Sequence, residues 1–170
     1  MNYKKQAYSG GTAHDAFINK YSGERSNLLL GVIGALAGTL LGGYFVYTSY
    51  FYMKSGLVAP MGLFAFAMLA YSFLGKGFDA KGLATCVLLT AVALWIANEA
   101  AWTNWFIEQV DKASGFKMDF WKTYPHVRQY LREVDYIKKY NLLTFRTVGM
   151  YLLTVIFVTI EQVLIWRRSR

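Results

Sequence analysis

Two carboxylates stand inside stretches of sequence that are otherwise apolar. Glu99, beside Asn98, lies toward the end of the run 83–105, and Glu161 lies in the run 142–166. An ionisable side chain at membrane depth is costly unless paired or hydrated, so each is a functional candidate by default. Asn98, Glu99 and Glu161 are therefore the candidate polar intramembrane site. General acid–base work by the two carboxylates would require them to converge on one reacting group. If successive runs cross a membrane in opposite directions, Glu99 and Glu161 fall near opposite faces, and no such pairing is expected. Arg167 and Arg168 lie within two helical turns of Glu161 and offer it a simpler partner.

The rest of the chemical inventory is thin. His14 and His126 belong to no metal-binding spacing such as HExxH, and no serine or cysteine sits in a nucleophile motif. The single cysteine, Cys86, excludes an intrachain disulfide and a cysteine-based metal site, and reads as a small apolar packing residue. The segment GKGFDAKG (75–82) has glycines and lysines but follows no strand and lacks the phosphate-loop pattern, so it reads as a turn. We expect no catalytic residue, no metal and no cofactor, hence a non-enzymatic protein. The alternative is a small transporter or channel with a polar path near Glu99. Thr85, Thr90, Asn98 and Glu99 are the residues that would begin one, and Thr85, Thr90 and Asn98 do not share one helical face.

The elements that must carry these residues follow from how charge is distributed. The 170 residues include 18 Lys and Arg against 10 Asp and Glu, yet Lys54 to Lys76 encloses no charge and Asp79 to Glu99 encloses only Lys81. A bilayer needs about 20 apolar residues per crossing helix. The pattern predicts an all-α integral membrane protein with four spans, at 27–50, 57–74, 83–105 and 142–166. Residues 1–26 form a polar, flexible tail without the continuous apolar core of a cleavable signal, and 27–170 form one membrane domain. The aromatic ends of the first and third spans, Tyr44 through Tyr52 and Trp102, Trp105 and Phe106, belong at membrane–water boundaries.

Between the third and fourth spans, 108–141 is too charged to cross. Thr123 as N-cap and Pro125 in the first turn predict an amphipathic helix reaching Lys139, with Val127, Leu131, Val134 and Lys138 on one side. Such a helix suits the plane of the membrane surface. Lys122, Arg128, Arg132, Lys138 and Lys139 would then form a shelf for anionic lipid head groups or an acidic partner. The formal charge of +8 is accounted for by cations that flank apolar runs, and no nucleic-acid module is present.

The first span carries a ladder of glycines: Gly31, Gly34, Gly38 and Gly42, then Gly43. Spacing of four leaves a groove along one helix face in which a second backbone can approach closely. The occupant is either a helix of the same chain or a second copy or partner subunit. The layout GxxGxxxGxxxGG, then GKGxxxKG, then a surface segment and a last span resembles small bacterial multi-pass membrane proteins of uncharacterised function. That resemblance implies a helical membrane fold in a bacterial inner membrane and no particular activity. Short flanking clusters of Lys and Arg place both termini in the cytoplasm. The expected role is that of a membrane component acting through helix packing, as a homo-oligomer or as the membrane subunit of a larger assembly.

Overall fold

The computed structural model describes residues 27–53 and 58–168. The expected polar tail 1–26, the turn around 54–57 and the last two residues lie outside the described residues. All regular structure among the described residues is helical: α1 Leu28–Met53, α2 Ala59–Gly75, α3 Ala80–Ser114, the single turn α4 Phe120–Thr123, a 3-10 turn Tyr124–His126, α5 Val127–Glu133 and α6 Ile137–Arg168. Three of these, α1, α3 and α6, are long and apolar enough to cross a bilayer, which makes this a membrane protein by length and composition. The fourth predicted span, α2, has 17 residues.

The first two helices form an antiparallel hairpin with almost no side chain between them. A Cβ built on Gly34 would collide with the Ala70 carbonyl, and one on Gly38 with the Phe66 carbonyl. At Gly42 it would meet Leu63 Cα at 2.7 Å, and at Gly31 the Tyr71 ring at 2.6 Å. The ladder therefore receives α2 along its length. At the end of the pair away from their connection the Asn27 amide donates to the Gly75 carbonyl at 2.9 Å.

Lys76 adopts a left-handed conformation after α2 (φ 55°), turning the chain back into α3. Asp79 caps that helix by accepting from the Gly82 amide at 2.8 Å. The segment 75–82 is thus a turn that passes into a helix start. Gly82 is helical, and its missing side chain admits the fully buried Tyr71 ring, which also lies over Gly31.

Helix α3 runs parallel to α1. Gly43 lies against Ala93, and the Asn104 amide donates to the Tyr47 hydroxyl at 2.6 Å. It continues to Ser114, well past the expected end at 105. The charged residues that end the apolar run do not end the helix, since Glu108 and Lys112 pair one turn apart. Gly115, in a left-handed conformation (φ 67°), stops it.

The long amphipathic helix expected across 123–139 is replaced by shorter pieces. Asp119, rather than Thr123, is the first cap, accepting from the Lys122 amide at 3.0 Å. Thr123 is helical and its hydroxyl donates back to the Asp119 carbonyl. At the other end α5 stops in a paired-turn cap. Asp135 takes φ 56°, its amide donates to the Arg132 carbonyl, and the Tyr136 amide donates to the Leu131 carbonyl. The last helix accordingly begins at Ile137 instead of 142. The apolar stripe also divides: Val127 and Leu131 are buried against Trp102, Phe106 and Tyr140, whereas Val134 is exposed.

Helix α6 packs on α2 and α3 rather than on α1. It runs antiparallel to α3, as its contacts in register show: Tyr140 with Glu99, Thr144 with Asn98, and Tyr151 with Thr90. Leu152, Leu153, Ile156, Phe157, Ile160 and Leu164 on its outer side are exposed.

Candidate functional site

The polar residues of the two halves meet along the α3–α6 seam. Glu99 is the centre. It is buried on α3, and one of its oxygens, Oε1, accepts from Arg128 Nε at 2.9 Å, from Arg128 Nη2 and from the Tyr140 hydroxyl. The α5 start supplies Arg128 and the first turn of α6 supplies Tyr140, so three elements converge on one carboxylate. The Arg128 guanidinium also covers the Trp95 ring, 4.4 Å from its centroid. Its pKa lies above the usual arginine value, chiefly through the hydrogen bond to Glu99. Nearby, burial first and the Glu99 charge second hold the Tyr124 phenol above its ordinary range, with Arg128 opposing.

Asn98 is 3% exposed and its Nδ2 donates to Thr144 Oγ1 at 3.1 Å, while its Oδ1 has no partner among the described residues. Farther along, Tyr151 on α6 reaches Thr90 Oγ1 at 3.0 Å and the Val87 carbonyl at 2.6 Å. Thr90 and Asn98 thus both face α6, whereas Thr85 only returns its hydroxyl to the Lys81 carbonyl. The three residues do not share one face, but two of them, Thr90 and Asn98, do meet α6. Between these ties lies an open cleft of about 190 Å³, lined by Ala91, Leu94, Trp95 and Asn98 from α3 and by Thr144, Val148 and Leu152 among residues of α6.

The other candidates are scattered. Glu161 is exposed on α6, 21 positions beyond Tyr140, or about 31 Å along a helix, and no ion pair reaches it among the described residues. It does not join Glu99. Lys122, Arg132, Lys138 and Lys139 are exposed near the α4–α6 start, but Arg128 is taken from this set into the Glu99 cluster. Gly31, Gly34, Gly38 and Gly42 lie in the α1–α2 contact, away from the seam. Among the described residues no cluster of His, Cys, Asp and Glu could hold a metal ion.

Sequence reasoning singled out Glu99 and Arg128 separately and did not join them. Trp95 and Tyr140 carry no sequence pattern that marks them as partners of either residue. One signal was available: a carboxylate in an apolar run demands a cation, and the nearest cation-rich segment follows it within 29 residues. No family model matches the chain, and neither a curated protein nor a solved structure shows significant similarity to it.

Proposed function

We propose that the chain is a four-span, non-enzymatic component of a cell (inner) membrane, with both termini cytoplasmic, that works as a homo-oligomer or as the membrane subunit of a larger assembly. The observation that carries this reading is the contrast between the filled interior and the outer side of α6. The glycine groove is occupied by α2, and Glu99 is neutralised by Arg128 and Tyr140, so neither is left for outside work. On the outer side of α6, Leu153, Ile156, Phe157, Ile160 and Leu164 are apolar and uncovered, and they form the surface through which an assembly would act.

Several features support the membrane arrangement. Helix α2 lies along α1 from Gly42 back to Asn27, so if α1 crosses the bilayer its 17-residue neighbour crosses with it. Lys76, Lys81 and Arg167 sit at the end of the bundle where α2 turns into α3 and α6 finishes. Cations in short flanking segments favour the cytoplasmic side.

Single cysteines at Leu153, Phe157 and Ile160 in a Cys86→Ala background, oxidised in the native membrane, test the assembly. Disulfide-linked dimers, or a co-purifying chain in native mass spectrometry, are the expected result. A lone monomer without cross-links would overturn it. Conduction past Glu99 is a second reading, favoured by the polar ties that follow the α3–α6 seam. It predicts a pH-dependent flux in liposomes that Glu99→Gln abolishes, and a fully active variant would dismiss Glu99 as the coupling residue.

A further inference from the structure

The cleft between α3 and α6 combines three features that no helix-packing role requires. Its walls are apolar, formed by Ala91, Leu94, Val148 and Leu152. Asn98, almost wholly buried, lines it and brings an acceptor oxygen without a donor. Trp95, also in the lining, carries the Arg128 guanidinium on its face. A buried carbonyl oxygen left without a hydrogen bond is unfavourable, so a donor belongs in the cleft. Arginine has five N–H donors, and Glu99 takes two of them. The remaining edge belongs to a side chain that is 47% exposed.

We propose that the cleft is a binding site for one anionic phospholipid whose head group carries hydroxyl donors, of the phosphatidylglycerol class. A head-group hydroxyl donates to Asn98 Oδ1, the phosphate takes the free edge of Arg128, and one acyl chain lies between α3 and α6. The register fits an amphiphile. Asn98 and Glu99 are adjacent on α3, which puts the acceptor and the guanidinium at one depth. From Asn98 to Ala91 the apolar wall continues for seven residues, about 10 Å along the helix. A volume of 190 Å³ is below the 300–1,000 Å³ typical of pockets for bulky ligands and suits a single chain. Exposed Lys138, Lys139 and Arg146 on the first turns of α6 add positive charge, which offsets the neutralisation of Arg128 by Glu99.

This site does not depend on the assembly reading. The test uses the full chain in nanodiscs of phosphatidylcholine doped with phosphatidylglycerol, released into the gas phase for native mass spectrometry. One phosphatidylglycerol should remain bound per chain, with phosphatidylcholine retained about tenfold less, a difference set by the donor and the charge. Asn98→Leu, and Val148→Phe as a second variant that fills the cleft from its rim without touching the Asn98–Thr144 bond, should each lower that retention to the phosphatidylcholine level. Equal retention of the two lipids, or unchanged retention in both variants, would overturn the site and leave only the basic surface as a lipid contact. Cysteine cross-links between copies at Val148 and Leu152, with no retained lipid, would also overturn it by showing that a second chain fills the cleft.

Discussion

The α1–α2 hairpin and the α3–α6 pair solve the same problem in opposite ways. Both hold antiparallel helices together where lipid offers no hydrophobic drive between them. The hairpin does so by removing side chains, so that glycines let one backbone lie against another. The α3–α6 pair keeps its side chains and spans the gap with Asn98–Thr144, Thr90–Tyr151 and the Glu99 cluster. Contact by backbone leaves no space and admits no substituent. Contact by polar ties leaves room between them, and that room is the cleft. The hairpin is thus the rigid half, and the seam is the half with adjustable chemistry.

The largest effect should come from attacking the hairpin. Gly38→Ile drives a branched side chain into the Phe66 carbonyl and the Ala70 side chain. We expect a loss of about 3 kcal/mol or more, read as a fall in the unfolding midpoint in detergent, since overpacking against backbone relaxes poorly. A stable variant that merely loses partners would move the groove from the intrachain contact to an oligomer interface. Breaking the ion pair should cost less. Arg128→Ala leaves the Glu99 charge with Tyr140 alone, and we expect about 1–2 kcal/mol, below the fully buried case because Arg128 is half exposed. Double replacement with Glu99→Leu should recover part of that loss, and absence of any recovery would show that the two residues act independently.

Smaller again is a single tie of the seam. Tyr151→Phe removes the hydroxyl shared by Thr90 and the Val87 carbonyl, at an expected cost of about 0.6–1.7 kcal/mol, the range of interhelical hydrogen bonds in membranes. A cost several times larger would mean that the seam is as intolerant as the hairpin. The smallest effect sharpens the comparison by reversing its sign. Gly149 lies on α6 with nothing within 4 Å of a built Cβ. Gly149→Ala should stabilise by about 0.5–1 kcal/mol through helix propensity. A destabilised variant would show that α6 meets another surface at that point.

The four apolar helices and the glycine spacing were legible because both are local patterns along one strand of sequence. Helix ends were less so. Charge at Glu108 and Asp111 marks the end of an apolar run, but α3 continues, since helices tolerate charged turns that are internally paired. The stop before Tyr136 escaped because Asp135, not glycine, takes the left-handed position there. The site was only half legible. Glu99 was conspicuous as a charge in an apolar run, yet its partners come from two other elements, and no local period links residue 99 to 128 or 140. Asn98 was noticed for its polarity, whereas its unpartnered oxygen arises only when tertiary packing buries the side chain.

The separation between Glu99 and Arg128 also imposes an order on biogenesis. Arg128 leaves the ribosome 29 residues after Glu99, a lag of about 1.5–6 s at ~5–20 residues per second. During that interval α3 has emerged with its carboxylate and without its cation, and Tyr140 is later still. The nascent chain must therefore keep Glu99 hydrated at the bilayer surface until the following segment arrives. Full seating of α3 is a late event, coupled to the arrival of α6, while the α1–α2 hairpin carries no charge in its helices and can insert as a finished unit.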